Sequence, residues 1–332
     1  MSKKALFLGL SVLVGTVFFF LAFEKVGFDT ILGTLSGLTL WQLGVTLALT
    51  LLIAALWVFR WRLILSHYGE KVDLKTLIQA RLSGYSVSML TPAMGLGGEP
   101  AQYILVRDKC PNVNKSNLIA SIAIDKVFFA TVNFLVALLG IVLFLSAFEI
   151  SGQLRYVVIV VLLVLFLLGL GFFVRAFRGQ GFLSPVLSLF GVKKGSGLLK
   201  QVDGAETAIH KFFSFKNPHL WGLFGLSLAR AGVHLFRFYL IILFLGSPVL
   251  FREVVVIVGV ILLVGLLPIP SGLGSFELSQ AFVFGALGLS AGLGVAMILI
   301  VRIFDWGLAL VGLLILLSKS MKHLWSFFRE PR

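Results

Sequence analysis

Apolar residues run almost without interruption over six stretches: Ala5 to Phe23, Trp41 to Leu65, about 117–147, about 154–174, His219 to Leu245 and about 293–317. Each is close to or above the roughly 20 residues a helix needs to cross a hydrocarbon core of about 30 Å. They predict six membrane-crossing helices. Four further apolar runs are too short for that: 76–90, 101–106, 254–267 and 276–289. As helix, the first rises only about 22 Å and the third about 21 Å. Such segments enter a membrane without crossing it.

The short runs come in pairs, and each pair is split by irregular sequence. Leu90-Thr91-Pro92-Ala93-Met94-Gly95-Leu96-Gly97-Gly98-Glu99-Pro100 splits the first, and Leu267-Pro268-Ile269-Pro270-Ser271-Gly272-Leu273-Gly274-Ser275-Phe276-Glu277 splits the second. Both read as proline, then Gly-Leu-Gly, then Glu. Proline removes amide donors and glycine permits left-handed backbone. Irregular backbone at membrane depth is tolerated only where it is buried in protein or lines a cavity. Two such breaks in corresponding places point to a transport site. The pairs are therefore expected to be re-entrant helical hairpins, the first over 76–106.

The breaks belong to a longer repeat. At an offset of 177, Phe59-Arg60 overlays Phe236-Arg237, Leu63-Ile64 overlays Leu240-Ile241, and Gly69 overlays Gly246. Lys75 likewise overlays Arg252, and Gly95-Leu96-Gly97 overlays Gly272-Leu273-Gly274. One inserted residue later, Glu99 overlays Glu277. Three crossings lie between the mated helices 41–65 and 219–245, so the halves are expected to face opposite ways. The expected fold is an all-α polytopic membrane protein. Repeat A covers about 41–148 and repeat B about 218–318.

Composition agrees. The 332 residues are 59% hydrophobic and 13% charged, with a mean hydropathy of +1.05. One integral membrane domain over 1–332 is expected. The single cysteine, Cys110, excludes a disulfide framework and a CxxC metal pattern. The net charge of +14 sits in the loops between apolar runs, which is the positive-inside pattern rather than a nucleic-acid footprint. It places both termini and the basic loop 175–216 in the cytoplasm. The run after Lys3 and Lys4 is long for a signal peptide, and Glu24-Lys25-Val26 offers no cleavage pattern, so it is read as a retained helix. In the loop, Phe182, Leu183, Val186, Leu187 and Phe190 recur at the spacing of an interfacial amphipathic helix, and a second helix is expected around 198–213.

Ionisable residues inside apolar runs mark functional candidates. Glu99 and Glu277 each follow a break, where they would couple protons, contact a headgroup cation, or cap free amides of a short helix. Arg60, Arg230, Arg237 and Arg302 are candidates to hold a phosphate by charge-assisted bonds. The amides of Gly97-Gly98 and of Gly274-Ser275 would add anion contacts. Arg81, in the first hairpin, would reach Glu99 or a lipid. Asp125-Lys126 lies within the 117–147 span, and Arg302 with Asp305, three apart, would neutralise each other. Arg230, His234 and Arg237 share a helix face. Lys126 joins the binding candidates, and Glu99, Asp125, Glu277 and Asp305 the coupling candidates. No metal site or cofactor is indicated. HExxH, GxSxG and Walker A patterns are absent, so the chain is not read as an enzyme or an ATPase.

On these motifs the chain resembles the lysylphosphatidylglycerol synthase transmembrane-region family, also called flippase-like. The marks are Thr91 to Glu99 (Thr-Pro-x-x-Gly-x-Gly-Gly-Glu) and Pro270 to Glu277 (Pro-x-Gly-Leu-Gly-x-x-Glu). Many members carry Glu-Arg where Asp125-Lys126 stands here. The resemblance implies a lipid translocase-like protein of the cell (inner) membrane, without the amino-acid-attaching synthase domain of bifunctional members. It implies membrane lipids as partners, no nucleic acid, and leaves room for a homo-oligomer and a separate lipid-synthesising enzyme. Two other readings remain open: an ion-coupled small-solute or anion transporter, and an intramembrane lipid-modifying enzyme using Glu99 and Asp125 as acid and base.

Overall fold

The computed structural model of the chain describes residues 16–21, 24, 29, 33, 36–91, 97–147, 171, 174, 197–213 and 217–329. Most of the expected first and fourth spans, the 182–190 stretch, residues 92–96 and both chain ends lie outside the described residues.

Among the described residues the fold is all-helical. In chain order come α1 (Leu40–His67), α2 (Leu74–Leu90), α3 (Glu99–Lys109), α4 (Lys115–Ala147) and α5 (Gly197–Phe212). They are followed by α6 (Pro218–Phe244), α7 (Phe251–Val264), a 3-10 turn (Pro270–Gly272), α8 (Ser275–Ala286) and α9 (Ala291–Arg329). Four of these, α1, α4, α6 and α9, are long and apolar enough to cross a membrane. The short helices of the two broken pairs, α2 with α3 and α7 with α8, are not.

Local chemistry sets the helix ends. At the start of α1 the Thr39 amide donates to the Gln42 side-chain oxygen at 2.9 Å. At the start of α2 the Asp73 carboxylate accepts from the Thr76 amide at 2.9 Å, and the Thr76 hydrogen bonds hold its carboxyl below the usual range. α6 begins with Pro218 in its first turn, where a missing amide costs nothing, and Asn217 accepts from the His219 amide. Just past α1 and α6 stand Gly69 and Gly246, the repeat mates, with φ of +71° and +80°. Both take the left-handed conformation that closes a helix without a Cβ clash.

α1 and α6 run antiparallel along their full lengths. Trp41 meets Phe244 with ring centroids 5.1 Å apart, and His67 meets His219 at 5.2 Å. α2 folds back on α3, with Lys109 bonded to Gln79 near one end and Gly98 pressed against the Gly84 carbonyl near the other. α7 and α8 form the corresponding pair. The first helix of each pair then crosses the long helix of the opposite half. α2 lies on α9, where the Ser83 and Ser86 hydroxyls donate to the carbonyls of Gly312 and Ala309. α7 lies on α4, where a Cβ on Gly140 would come within 2.6 Å of the Val255 carbonyl. Exchanging α1 with α6, α2 with α7, α3 with α8 and α4 with α9 maps these contacts onto one another.

Two apolar cores fill the halves. One centres on Trp61, Leu77, Ile124 and Phe212, the other on Phe238, Ile257, Phe284 and Met297. α5, expected as an amphipathic helix, docks on the first core. The Tyr68 hydroxyl donates to the Ala208 carbonyl at 2.9 Å, and Phe212 packs edge-on to His67.

Candidate functional site

The adjacent charges Asp125 and Lys126 of α4 part company. Asp125, fully buried, accepts from Arg60 Nε at 2.7 Å and meets Arg81 Nη1 at 2.8 Å. One carboxylate thus bridges two guanidiniums that are each 1% exposed. Lys126 turns the other way and meets Glu99 at 2.6 Å. Arg81 therefore reaches Asp125, and it also donates to Gln102 rather than pairing with Glu99. The indoles of Trp57 and Trp61 hold it, its Cζ standing 4.9 and 4.6 Å from their centroids.

The other half divides its charges in the same way. Arg302 and Asp305 do not neutralise each other. Arg302 grips Glu277 with two bonds, 2.5 Å from Nε and 2.9 Å from Nη2, and Asp305 accepts from Arg237 at 2.9 Å. Planar two-point contact of this kind is a guanidinium property that lysine lacks. Arg302 also donates to the carbonyls of Ser271 and Gly272. It pins the 3-10 turn, where Ser271 sits at φ 48° and Gly272 at +62°.

In each half, then, the acid after the break pairs with a base on the following long helix. The arginine of the preceding long helix pairs with an acid on that same helix. Between the halves the arginines cross over. Arg60 Nη1 donates to Ser227 Oγ at 3.3 Å, and Arg237 Nη1 to Thr50 Oγ1 at 3.0 Å. Thr50 and Ser227 are themselves 177 apart, so the seam between α1 and α6 is self-complementary, residue i to j and j to i.

The two post-break acids differ in access. The Glu99 side chain is 24% exposed and that of Glu277 is 0%. Glu99 also accepts from the Gly97 amide at 2.6 Å, and the Gly98 amide donates to Ser88 Oγ. Those two amides are thus occupied, Gly97 by a carboxylate and Gly98 by a neutral hydroxyl. Gly274 caps the start of α8 with φ +73°. Of the polar face on α6, Arg230 and Arg237 are buried, while His234 packs on Phe238.

Sequence reasoning passed over Gln102 and Gln280. Each stands three residues after its glutamate and is almost fully buried, and their offset of 178 is the one that relates Glu99 to Glu277. Glu-x-x-Gln in both halves was the signal. Asn133, which accepts from Arg230 Nη2 at 2.8 Å, carried no sequence signal because its repeat mate is unrelated.

These features define a polytopic helical membrane protein with buried ion pairs set behind two broken helix pairs. The family described as the lysylphosphatidylglycerol synthase TM region matches residues 7–312, and the chain belongs to it. A UPF0104 membrane protein of Methanothermobacter thermautotrophicus is 32% identical to it over 155 residues. That stretch is 47% of this chain and 43% of the relative's length, so less than half of each is aligned.

Proposed function

We propose that this protein is a lipid translocase that passes a polar headgroup across the membrane between its two halves. On this reading the halves are inverted repeats. The pairs α2–α3 and α7–α8 are re-entrant hairpins entering from opposite faces, with the basic faces of both termini on the cytoplasmic side. The observation that carries the proposal is the doubled set of ion pairs with unequal access: Glu99–Lys126 partly open, Glu277–Arg302 sealed. Charged groups at membrane depth are costly unless they face protein or water, and they mark substrate pathways. A repeated site open in one half and closed in the other is what alternating access between inverted repeats requires. The antiparallel, self-complementary α1–α6 seam supports a two-fold axis lying in the membrane plane.

The test is transport in proteoliposomes holding phospholipids labelled at the headgroup, with an impermeant reductant to bleach the outer leaflet. The protein should raise the bleached fraction above that of empty vesicles, and Glu99→Gln should lower the rate by about tenfold or more, a size typical of a lost charge-assisted bond. No acceleration for any headgroup would overturn the proposal. Uptake of small anions without lipid movement would favour the solute-transporter reading instead.

A further inference from the structure

Five arginines are buried among the described residues: Arg60, Arg81, Arg230, Arg237 and Arg302. Four of them meet a carboxylate. Arg230 does not. It is 8% exposed, donates to Asn133 Oδ1 at 2.8 Å, and lies with Cζ 4.9 Å from the Phe129 centroid. Its Nε has no partner. Over the described network, six cationic side chains (the five arginines and Lys126) face four carboxylates, so two positive charges are in excess.

The surroundings of Arg230 are donors. Phe129 gathers Arg230, Lys126 at 5.7 Å and the stacked indole of Trp57 at 6.2 Å. The Trp57 indole N–H is buried and without a partner, and an indole nitrogen only donates. A guanidinium only donates too, so the Asn133 oxygen must face Arg230, which leaves the Asn133 amide hydrogens for another acceptor. The carboxylates of α3 and α4 already stand in ion pairs, Glu99 with Lys126 and Asp125 with its two arginines. A guanidinium buried without a carboxylate, beside an indole N–H that has no partner, is expensive. It repels cations and calls for a compact ligand that only accepts.

We propose that Arg230, Asn133, Trp57 and Lys126 form a binding site around Phe129 for a phosphate group, between α1, α4 and α6. The group is either a lipid phosphodiester or free phosphate. The lipid source rests on the translocase reading above; the site itself does not. Arg60, Arg237 and Arg302, equal candidates by sequence, are assigned instead to internal carboxylates.

The experiment is binding calorimetry on the full chain in a phosphate-free detergent, with three probes: short-chain phosphatidylglycerol, a short-chain glucosyl diacylglycerol without phosphate, and inorganic phosphate. The phospholipid should bind and the glycolipid should not. Arg230→Gln should weaken phospholipid binding by at least about tenfold. Trp57→Phe keeps the ring and removes one donor, and should weaken it about threefold to tenfold. It decides the matter if Arg230→Gln fails to fold. Binding of phosphate but not of phospholipid, lost in the same variants, assigns the site to the free ion. Equal binding of glycolipid and phospholipid, or undiminished phosphate and phospholipid binding in a folded variant, overturns the site. Variant-sensitive binding without any transport in proteoliposomes would keep the site and remove the translocase reading.

Discussion

At the scale of single residues, Asp125 is the least replaceable group in the described network. It alone offsets Arg60 and Arg81, and all three are sealed. Removing one partner of a buried pair leaves an uncompensated charge, at a cost of about 3–5 kcal/mol. Asp125→Asn strands two guanidiniums at once. Arg81→Met leaves the Arg60–Asp125 pair balanced. Thermal unfolding in detergent micelles should therefore show a clearly larger loss for Asp125→Asn than for Arg81→Met, and equal losses would remove the bridging role. The sequence exposed the members of this network but not their partners. Asp125 and Lys126 are neighbours in the chain, yet successive helix positions point about 100° apart, so they face different elements. Arg302 and Asp305, one turn apart, invited a local pair, but each pairs with a residue of another helix. Gln280 shows where the repeat is incomplete. Its mate Gln102 accepts from Arg81, but the position matching Arg81 is Val258, and Gln280 has neither amide atom paired.

At the scale of elements, the four long helices and four short ones were legible because their lengths decide what each segment can do in a bilayer. The described boundaries fall within about three residues of the apolar runs except at α9, which continues through the basic tail to Arg329. What the apolar pattern did not show is which helices touch, because a segment apolar all round has no directional face. Glycines settle that. Gly140 on α4 admits the α7 backbone, and Gly312 on α9 admits α2, where a Cβ would collide with the Leu82 carbonyl. Small residues allow close approach where hydrophobicity provides no drive between helices in lipid. Gly140→Val and Gly312→Val should each lower stability by about 1–3 kcal/mol or more, as overpacking does. Gly225→Val, where a Cβ meets nothing within 4 Å, should be nearly silent. Unfolding midpoints of the three variants check this, and a Gly312→Val as stable as Gly225→Val would refute the crossing.

At the scale of the whole molecule, contacts sort the loops onto two rims. Glu70, after α1, accepts from the Asn114 amide ahead of α4 and from the Asn117 side chain in its first turn, so residues 68–73 and 110–114 share one rim. Gly37, Gly246 and Leu293 line a common cleft, so the chain around 37, 246 and 293 shares the other. The first rim carries Lys71, Lys75, Arg107, Lys109 and Lys115; the second carries Arg252. By the positive-inside rule the first rim is the one expected to face the cytoplasm. α2 leaves the first rim and α3 returns to it; α7 leaves the second and the turn after α8 returns there. Single cysteines in a Cys110→Ser background test this directly. Lys71→Cys and Asn112→Cys should resist an impermeant maleimide applied to intact cells, while Leu250→Cys and Ser290→Cys should react; all four positions are exposed. Opposite outcomes at 71 and 112 would mean that α2 and α3 together cross the membrane. That would end the re-entrant reading and, with it, the opposed orientation of the halves. Matching labels within each pair and opposite labels between pairs leave an inverted repeat as the arrangement that accommodates four spans, two returning helix pairs and one antiparallel seam.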